Sequence, residues 1–547
     1  MAAIPISTLL LLLLLLFAIP TARSASPSPS AAIERSCDGT LYPDLCVSTL
    51  AAVPGLAAKS LPSIISSTLN RTQSSVHSSR ATVRRLRRAS RGLDPLQRLA
   101  LADCLDLLDL TVAALGRAAG DLARVNASSG GASVDDLKTV LSAAMTNQYT
   151  CLDGFAFVND STSLRPLFEN ELFNISRLVS NSLAMAKKLP RKKRSRSHKE
   201  VLEGYGRIAK GFPRWISAAD QELLVVNGTA VADLVVAKDG SGNFTTVTEA
   251  VGAAPNNSAT RFVIYVKQGG YFENVEVASN KTNLMFIGDG IGKTVIKASR
   301  NVVDGWTTYR SATVAIVGNG FLARDITIEN AAGPSKHQAV ALRSNSDLSA
   351  FYRCSFVGYQ DTLYAHSQRQ FYRDCDVYGT VDFVFGNAAV VLQRCNLYAR
   401  RPDAVQKNIF TAQGREDPNQ TTGISMQQCK IAAAEDLLPV VSEFKSFLGR
   451  PWKKYSRTVV MQSKIEGLID PAGWLEWDGD FALDTLYYGE YMNRGPGANT
   501  TNRVTWPGYR VINSTAEASN FTVSSFIQGD LWLVSSLVPF SVGLTVS

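Results

Sequence analysis

Phe351-Tyr-Arg-Cys-Ser-Phe-Val-Gly358 is followed by Phe371-Tyr-Arg-Asp-Cys-Asp-Val-Tyr-Gly379, and then by Leu392-Gln-Arg-Cys-Asn-Leu-Tyr398. One short β-rich phrase recurs, with Cys354, Cys375 and Cys395 spaced 21 and 20 residues apart. A period near twenty with strand-like content and no helix between repeats predicts the stacked coils of a parallel β-helix. A propeller blade needs about twice that period, and a sandwich shows no such register. Runs such as Phe262-Val-Ile-Tyr-Val266, Val314-Ala-Ile-Val317 and Ile326-Thr-Ile328, punctuated by Gly and Asn, extend this all-β reading over residues 230–547.

The repeat also places chemistry. Asp361 follows Gly358 by three residues, and Asp382 follows Gly379 by three, so the two occupy the same phase of successive coils. Strands on neighbouring coils lie ~4.8 Å apart, which makes the carboxylates near neighbours on one face. Two carboxyl groups that close do not both ionise freely: one pKa rises while the other stays low, giving an acid and a nucleophile. Gln360 adjoins Asp361, and Gln338 lies 22 residues before Gln360, about one coil earlier. Their amide N–H groups are candidates to receive a developing oxyanion. Asn, Gln and Asp also satisfy β-helix turns, so spacing alone leaves a structural role open. In Gly449-Arg450-Pro-Trp452 the arginine suits a carboxylate and the indole offers an apolar face to a sugar ring, or fills core. Cross-coil pairing also makes a Cys354–Cys375 disulfide plausible.

The first third reads differently. Leu96-Gln-Arg-Leu-Ala-Leu-Ala-Asp-Cys-Leu-Asp-Leu-Leu-Asp-Leu110 sets apolar residues at helical spacing, and residues 33–185 are read as an all-α bundle. Two domains suit a chain of 547 residues with 45% hydrophobic and 19% charged residues. Ile6 to Ile19 is one apolar stretch with eight leucines from Leu9 to Leu16, followed by small residues around Ala22 to Ala25. Residues 1–25 read as a secretory signal peptide, short of the ~20 apolar residues that span a bilayer. No other segment reads as a transmembrane anchor. Twelve N-x-S/T sequons fit export, as do eight cysteines divided evenly between the halves. There is no C-x-x-C, and only His337 and His366 of four histidines fall in the β half, so no metal is expected. No G-x-S-x-G elbow or H-E-x-x-H motif occurs. Gly288-Asp-Gly-Ile-Gly-Lys-Thr294 lacks the first glycine of a phosphate loop, Ile287 standing there, and reads as a turn.

Net charge is +9, an excess that invites a nucleic-acid, membrane or acidic-polymer partner. Its location decides otherwise. Residues 230–547 carry 29 basic and 29 acidic residues, whereas the first 229 carry 27 and 18. Eight basic residues lie between Lys187 and Lys199, and six arginines between Arg80 and Arg91. Nucleic-acid binding gains no support, and the basic linker, 186–229, is a natural site for a processing protease.

At these residues the chain closely resembles plant pectin methylesterase, in the precursor form whose N-terminal domain is similar to pectin methylesterase inhibitors. The motifs are Gly305-Trp-Thr-Thr-Tyr-Arg-Ser-Ala-Thr313, Lys336-His-Gln-Ala-Val-Ala-Leu-Arg343, Gly358-Tyr-Gln-Asp-Thr-Leu-Tyr364, Gly379-Thr-Val-Asp-Phe-Val-Phe-Gly386 and Leu448-Gly-Arg-Pro-Trp452. The resemblance implies a right-handed parallel β-helix, with Asp382 as nucleophile, Asp361 as general acid/base, and Gln338 and Gln360 as oxyanion donors. Thr308, Arg450 and Trp452 match substrate-binding positions; Tyr364, Phe385 and Trp474 are further candidates for the aromatic cleft. The implied substrate is methylated homogalacturonan, with no cofactor. The implied setting is the extracellular cell wall, where separate inhibitor proteins are possible partners.

The N-terminal half matches the inhibitor pattern in Cys37-Asp-Gly-Thr-Leu-Tyr-Pro-Asp-Leu-Cys46, Ala102-Asp-Cys-Leu105 and Leu141-Ser-Ala-Ala-Met-Thr-Asn-Gln-Tyr-Thr-Cys151-Leu-Asp-Gly-Phe155. Family connectivity implies a four-helix bundle with Cys37–Cys46 and Cys104–Cys151 bonds, and a role in keeping the precursor inactive or assisting its folding. After Phe212-Pro-Arg-Trp215 this chain carries Gln221-Glu222 where related precursors carry two arginines. Cutting is therefore expected in the Lys187–Arg196 tract, or the domains stay joined. The competing readings are a polygalacturonase or pectate lyase on the same fold, and an inactive protein acting only through its inhibitor-like domain.

Overall fold

A computed structural model describes residues 29–89, 92–126, 134–156, 164–190, 208–209, 212–213, 232–536 and 538–545. The apolar leader and nearly all of the basic linker lie outside them. Six helices come first: α1 (Pro29–Cys37), α2 (Pro43–Ala51), α3 (Leu61–Ala89), α4 (Pro95–Asn126), α5 (Val134–Asp153) and α6 (Glu169–Lys187). The four long ones pack as a ring, each against two of the others, as apolar stripes at 3.6-residue spacing require. Disulfides Cys37–Cys46 and Cys104–Cys151 tie α1 to α2 and α4 to α5. Among the described residues no helix is long and apolar enough to cross a membrane.

From Leu234 the chain winds through three parallel sheets of eleven, eight and seven strands, each coil adding one strand to each. Inward-facing residues stack coil on coil into one core: Leu342, Leu363 and Val384 pair in register and are fully buried. The fold is a parallel β-helix. At the corner before the eight-stranded sheet, Asp325, Arg353, Asp374, Arg394, Gln428, Gln462 and Met492 all take positive φ, between 48° and 58°. That repeated left-handed kink turns each coil and is the structural meaning of the twenty-residue period.

The expected Cys354–Cys375 disulfide is absent. With Cys395 and Cys429 the two are buried thiols in one inward column. Stacked side chains leave the coil in parallel rather than toward each other. The sulfurs instead donate to carbonyl oxygens of the preceding coil, Cys375 to Phe351 (3.4 Å) and Cys429 to Leu392 (3.3 Å). The suspected phosphate loop is a turn after the strand Leu284–Gly288, its Asp289 amide donating to Thr294 Oγ1 at 2.9 Å.

Candidate active site

The outward column of the seven-stranded sheet runs Ala315, Arg343, Tyr364, Phe385, Ala412 and Arg450, one residue per coil. Alternation along a strand puts these opposite the core residues, so register builds the floor of a cleft. Tyr364 and Phe385 stack with centroids 4.1 Å apart, and Trp452 meets Phe385 edge-on at 5.9 Å. Gly414 makes room for that indole: a Cβ there would lie 2.8 Å from the Trp452 ring.

Asp361 and Asp382 occupy the coil corner just before this sheet, at φ 64° and 52°. Aspartate tolerates the left-handed region better than most residues. Gly379 is required because a Cβ would sit 2.1 Å from that of Phe383. The Asp361 amide donates to Val381 O (3.0 Å), locking one coil on the next. Both carboxylates are nearly buried, 7% and 5% exposed. They differ in their partners. Arg450 donates to Asp382 through Nε (2.9 Å) and Nη2 (2.7 Å), a bidentate clamp. Burial pushes the Asp361 carboxyl well above the usual carboxylate range, the Asp382 charge adds to this, and Arg450 opposes it. Burial raises Asp382 too, but Arg450 pulls it back by charge and hydrogen bonds. Asp361 is therefore the more strongly raised of the two, and Arg450 acts mainly to favour the charged form of Asp382.

A cavity of about 280 Å³ opens over the pair, and Gln338, Gln360, Thr308, Tyr364, Phe385, Arg450 and Trp452 all line it. Gln338 Oε1 is buried without a partner. Trp474 is the site residue the structure removes: it is 1% exposed, stacks on Tyr488 at 4.3 Å and donates to Glu490 (3.3 Å) from inside the core. Its place is taken by Trp477, 36% exposed with the Arg450 guanidinium 4.3 Å above its ring. Trp306 also lines the cavity. Sequence gave no means of choosing between two tryptophans three residues apart in an irregular loop. Trp306 lies within the Gly305–Thr313 motif.

The helical domain closes the cleft. Leu96, Thr150, Asp153, Gly154 and Ala156 line the same cavity, and the bundle core runs on into Tyr309, Ala315, Tyr364, Phe385 and Ala412. Arg310 donates to Asp103 (2.5 Å) and to Asp106, Arg369 to Asp136 (2.7 Å), and Lys453 to Asp153 (2.9 Å). Asn387 donates to Thr146 (2.9 Å), and Thr150 Oγ1 meets His366 Nε2 at 2.9 Å. Burial pushes the Asp103 carboxyl up to about 6, against the opposing pull of Arg310. Undocked, in water, its value returns toward 3.8. Docking thus takes up a proton between these values, so this group's contribution is present below about pH 4 and lost as pH rises through about 6. The expected result is tighter binding of the separated helical domain to the β-helical region at pH 5 than at pH 7, measured by surface plasmon resonance.

Comparison with known proteins agrees with this layout. The family model described as pectinesterase matches residues 233–530, and that of plant invertase/pectin methylesterase inhibitor matches 31–185. Pectinesterase 3 of Citrus sinensis is 50% identical over 521 residues, 94% of this chain and 89% of its own. Pectinesterase/pectinesterase inhibitor 3 of Arabidopsis thaliana is 48% identical over 552 residues, 95% and 92% of the two chains. Among solved structures, pectin methylesterase from carrot is 62% identical with a TM-score of 0.58, and 58% of this chain covers all of it. The class is thus a β-helical carboxylic ester hydrolase fused to a helical inhibitor-like domain. The chain belongs to the pectinesterase family and removes methyl esters from pectin.

Proposed function

We propose that Asp382 is the nucleophile and Asp361 the general acid/base of this demethylation. One observation carries the assignment: of two stacked, buried carboxyls, Arg450 clamps Asp382 bidentately while Asp361 is left to hold a proton. An Asp382 oxygen attacks the C6 carbonyl of a methylated galacturonate, and Gln338 and Gln360 donate to the resulting oxyanion. On collapse the C6–methoxy bond breaks, and Asp361 gives its proton to the departing oxygen, releasing methanol. Asp361, now a carboxylate, takes a proton from water. The hydroxide attacks C6 of the acyl-enzyme anhydride, freeing the Asp382 carboxylate and a galacturonic acid, which gives its proton to bulk water and leaves as pectate. Tyr364, Phe385, Trp452 and Trp477 supply ring faces to the sugars.

The helical domain is autoinhibitory on this reading, since it covers the aromatic floor that a polymer must occupy. Export to the cell wall follows from the apolar leader and the sequons, and release of the enzyme from cutting in the basic linker. Product analysis of methylated pectin treated with residues 230–547 tests the chemistry. The expected outcome is methanol with no new reducing ends and no unsaturated products; either of the latter points to chain cleavage instead.

A further inference from the structure

Between the two domains, sharing no lining residue with the cavity over the carboxylate pair, lies a second cavity of about 280 Å³. Asp135 and Lys138 of α5, Lys187 at the end of α6, and Arg415, Thr421 and Arg457 of the β-helix line it. Four cations thus face one carboxylate. Asp135 is already engaged with Lys138 at 3.3 Å. The other three cations are satisfied by carbonyl oxygens only: Arg415 Nε by Gln420 (3.1 Å), Arg457 Nε by Thr422 (2.7 Å) and Lys187 by Pro418 (3.4 Å). Among the described residues their side chains make no ion pair, Asp417 acting on Arg415 and Lys187 by charge alone. Asp417, the nearest alternative, is turned away to Ser180 (2.5 Å) and the Asn419 amide (2.7 Å).

Such a cluster is costly as it stands. Arg415 is 9% exposed and its guanidinium is satisfied by carbonyl oxygens only, and a cation taken from water without an anionic partner loses several kcal/mol of solvation. The crowding registers on Lys187, whose ammonium is pushed down by burial and then by Arg415 and Lys138. Thr421 Oγ1 is buried beside them with no hydrogen-bond partner. Two guanidinium forks, two ammonium groups and an unused hydroxyl are a donor set for an oxyanion.

We propose that this interdomain cavity is an anion-binding site for a small oxyanion, either an acidic-sugar carboxylate or an inorganic phosphate. Because both domains contribute cations, the bound anion ties α5 and α6 to the β-helix, by linkage to the docked form alone. That consequence for inhibition rests on the autoinhibitory reading above; the binding does not.

Calorimetric titration of the intact chain tests it, in a buffer free of multivalent anions, with inorganic phosphate in one arm and trigalacturonate in the other. Saturable binding of one anion per chain is expected in at least one arm. Losing one charge-assisted contact in Lys187→Gln, an exposed position, weakens it about tenfold or more. Lys138→Gln serves as the second variant, its fold checked by circular dichroism. Phosphate binding alone assigns an inorganic ligand, and trigalacturonate binding alone a product-like one. No saturable binding in either arm, or affinity unchanged in both variants, overturns the proposal, including the case of trigalacturonate held only at the carboxylate pair.

Discussion

Asp382→Asn in the β-helical region lowers methanol release from methylated pectin by at least ~10³-fold, in line with removal of a nucleophile elsewhere. The amide keeps the size and the corner conformation of the carboxylate, so Gln338, Gln360 and the aromatic floor stay where they are. It has no charge to attack with and no second anionic oxygen for the Arg450 clamp. The guanidinium left without its partner lowers stability, so melting temperature is recorded with activity to separate the two losses. The β-helical region is a fair vehicle, since a carrot chain of that extent is covered completely by 58% of this one. Asp361→Asn should fail differently. Its nucleophile is intact, but the methoxide leaves without a proton donor, and the alkaline limb of the pH–rate profile, which reports loss of the Asp361 proton, disappears. Release by Asp382→Asn above a tenth of the unsubstituted rate would overturn the assignment.

Arg310→Glu in the intact chain raises methanol release, toward the level of the separated β-helical region. Arg310 directly follows Thr308 and Tyr309 of the cavity lining and meets both Asp103 and Asp106 of α4. The Asp103 side chain is 1% exposed. Removing the cation that pairs with a buried carboxylate costs up to about 3–5 kcal/mol, a loss of roughly 10² to several 10³-fold in docking equilibrium, and the introduced carboxylate adds like-charge repulsion. Activity of the intact chain is proportional to the undocked fraction, so a rise of about tenfold or more is expected where that fraction starts near one per cent. Cutting the linker gives the same end point by another route, because docking then becomes bimolecular and dilution reverses it. An intact chain already as active as the separated region would mean that the bundle does not block the cleft.

The coil period made much of this site readable in advance. Asp361, Asp382 and Gln360 occupy repeating positions of a fold in which sequence period equals spatial stacking, and the Gly-x-x-Asp spacing is the corner itself. Trp474 misled because it lies outside the repeating strands, in a loop whose direction no period fixes. The Cys354–Cys375 bond failed for a related reason. Register predicts that two residues stack, not that their side chains turn toward each other.

What the sequence determined alone is everything carried by periodicity: the helical first half, the β-helix, the carboxylate pair and the excess of charge before residue 230. Each of these is a property of neighbours along the chain or one coil away. Only the tertiary structure decided which tryptophan faces the cleft, that Arg450 selects Asp382 over Asp361, and that Arg310 and Arg369 are held by carboxylates of the helical domain. Those pairings join residues from 68 to 233 positions apart. No local pattern encodes them, because they follow from how two separately periodic surfaces meet.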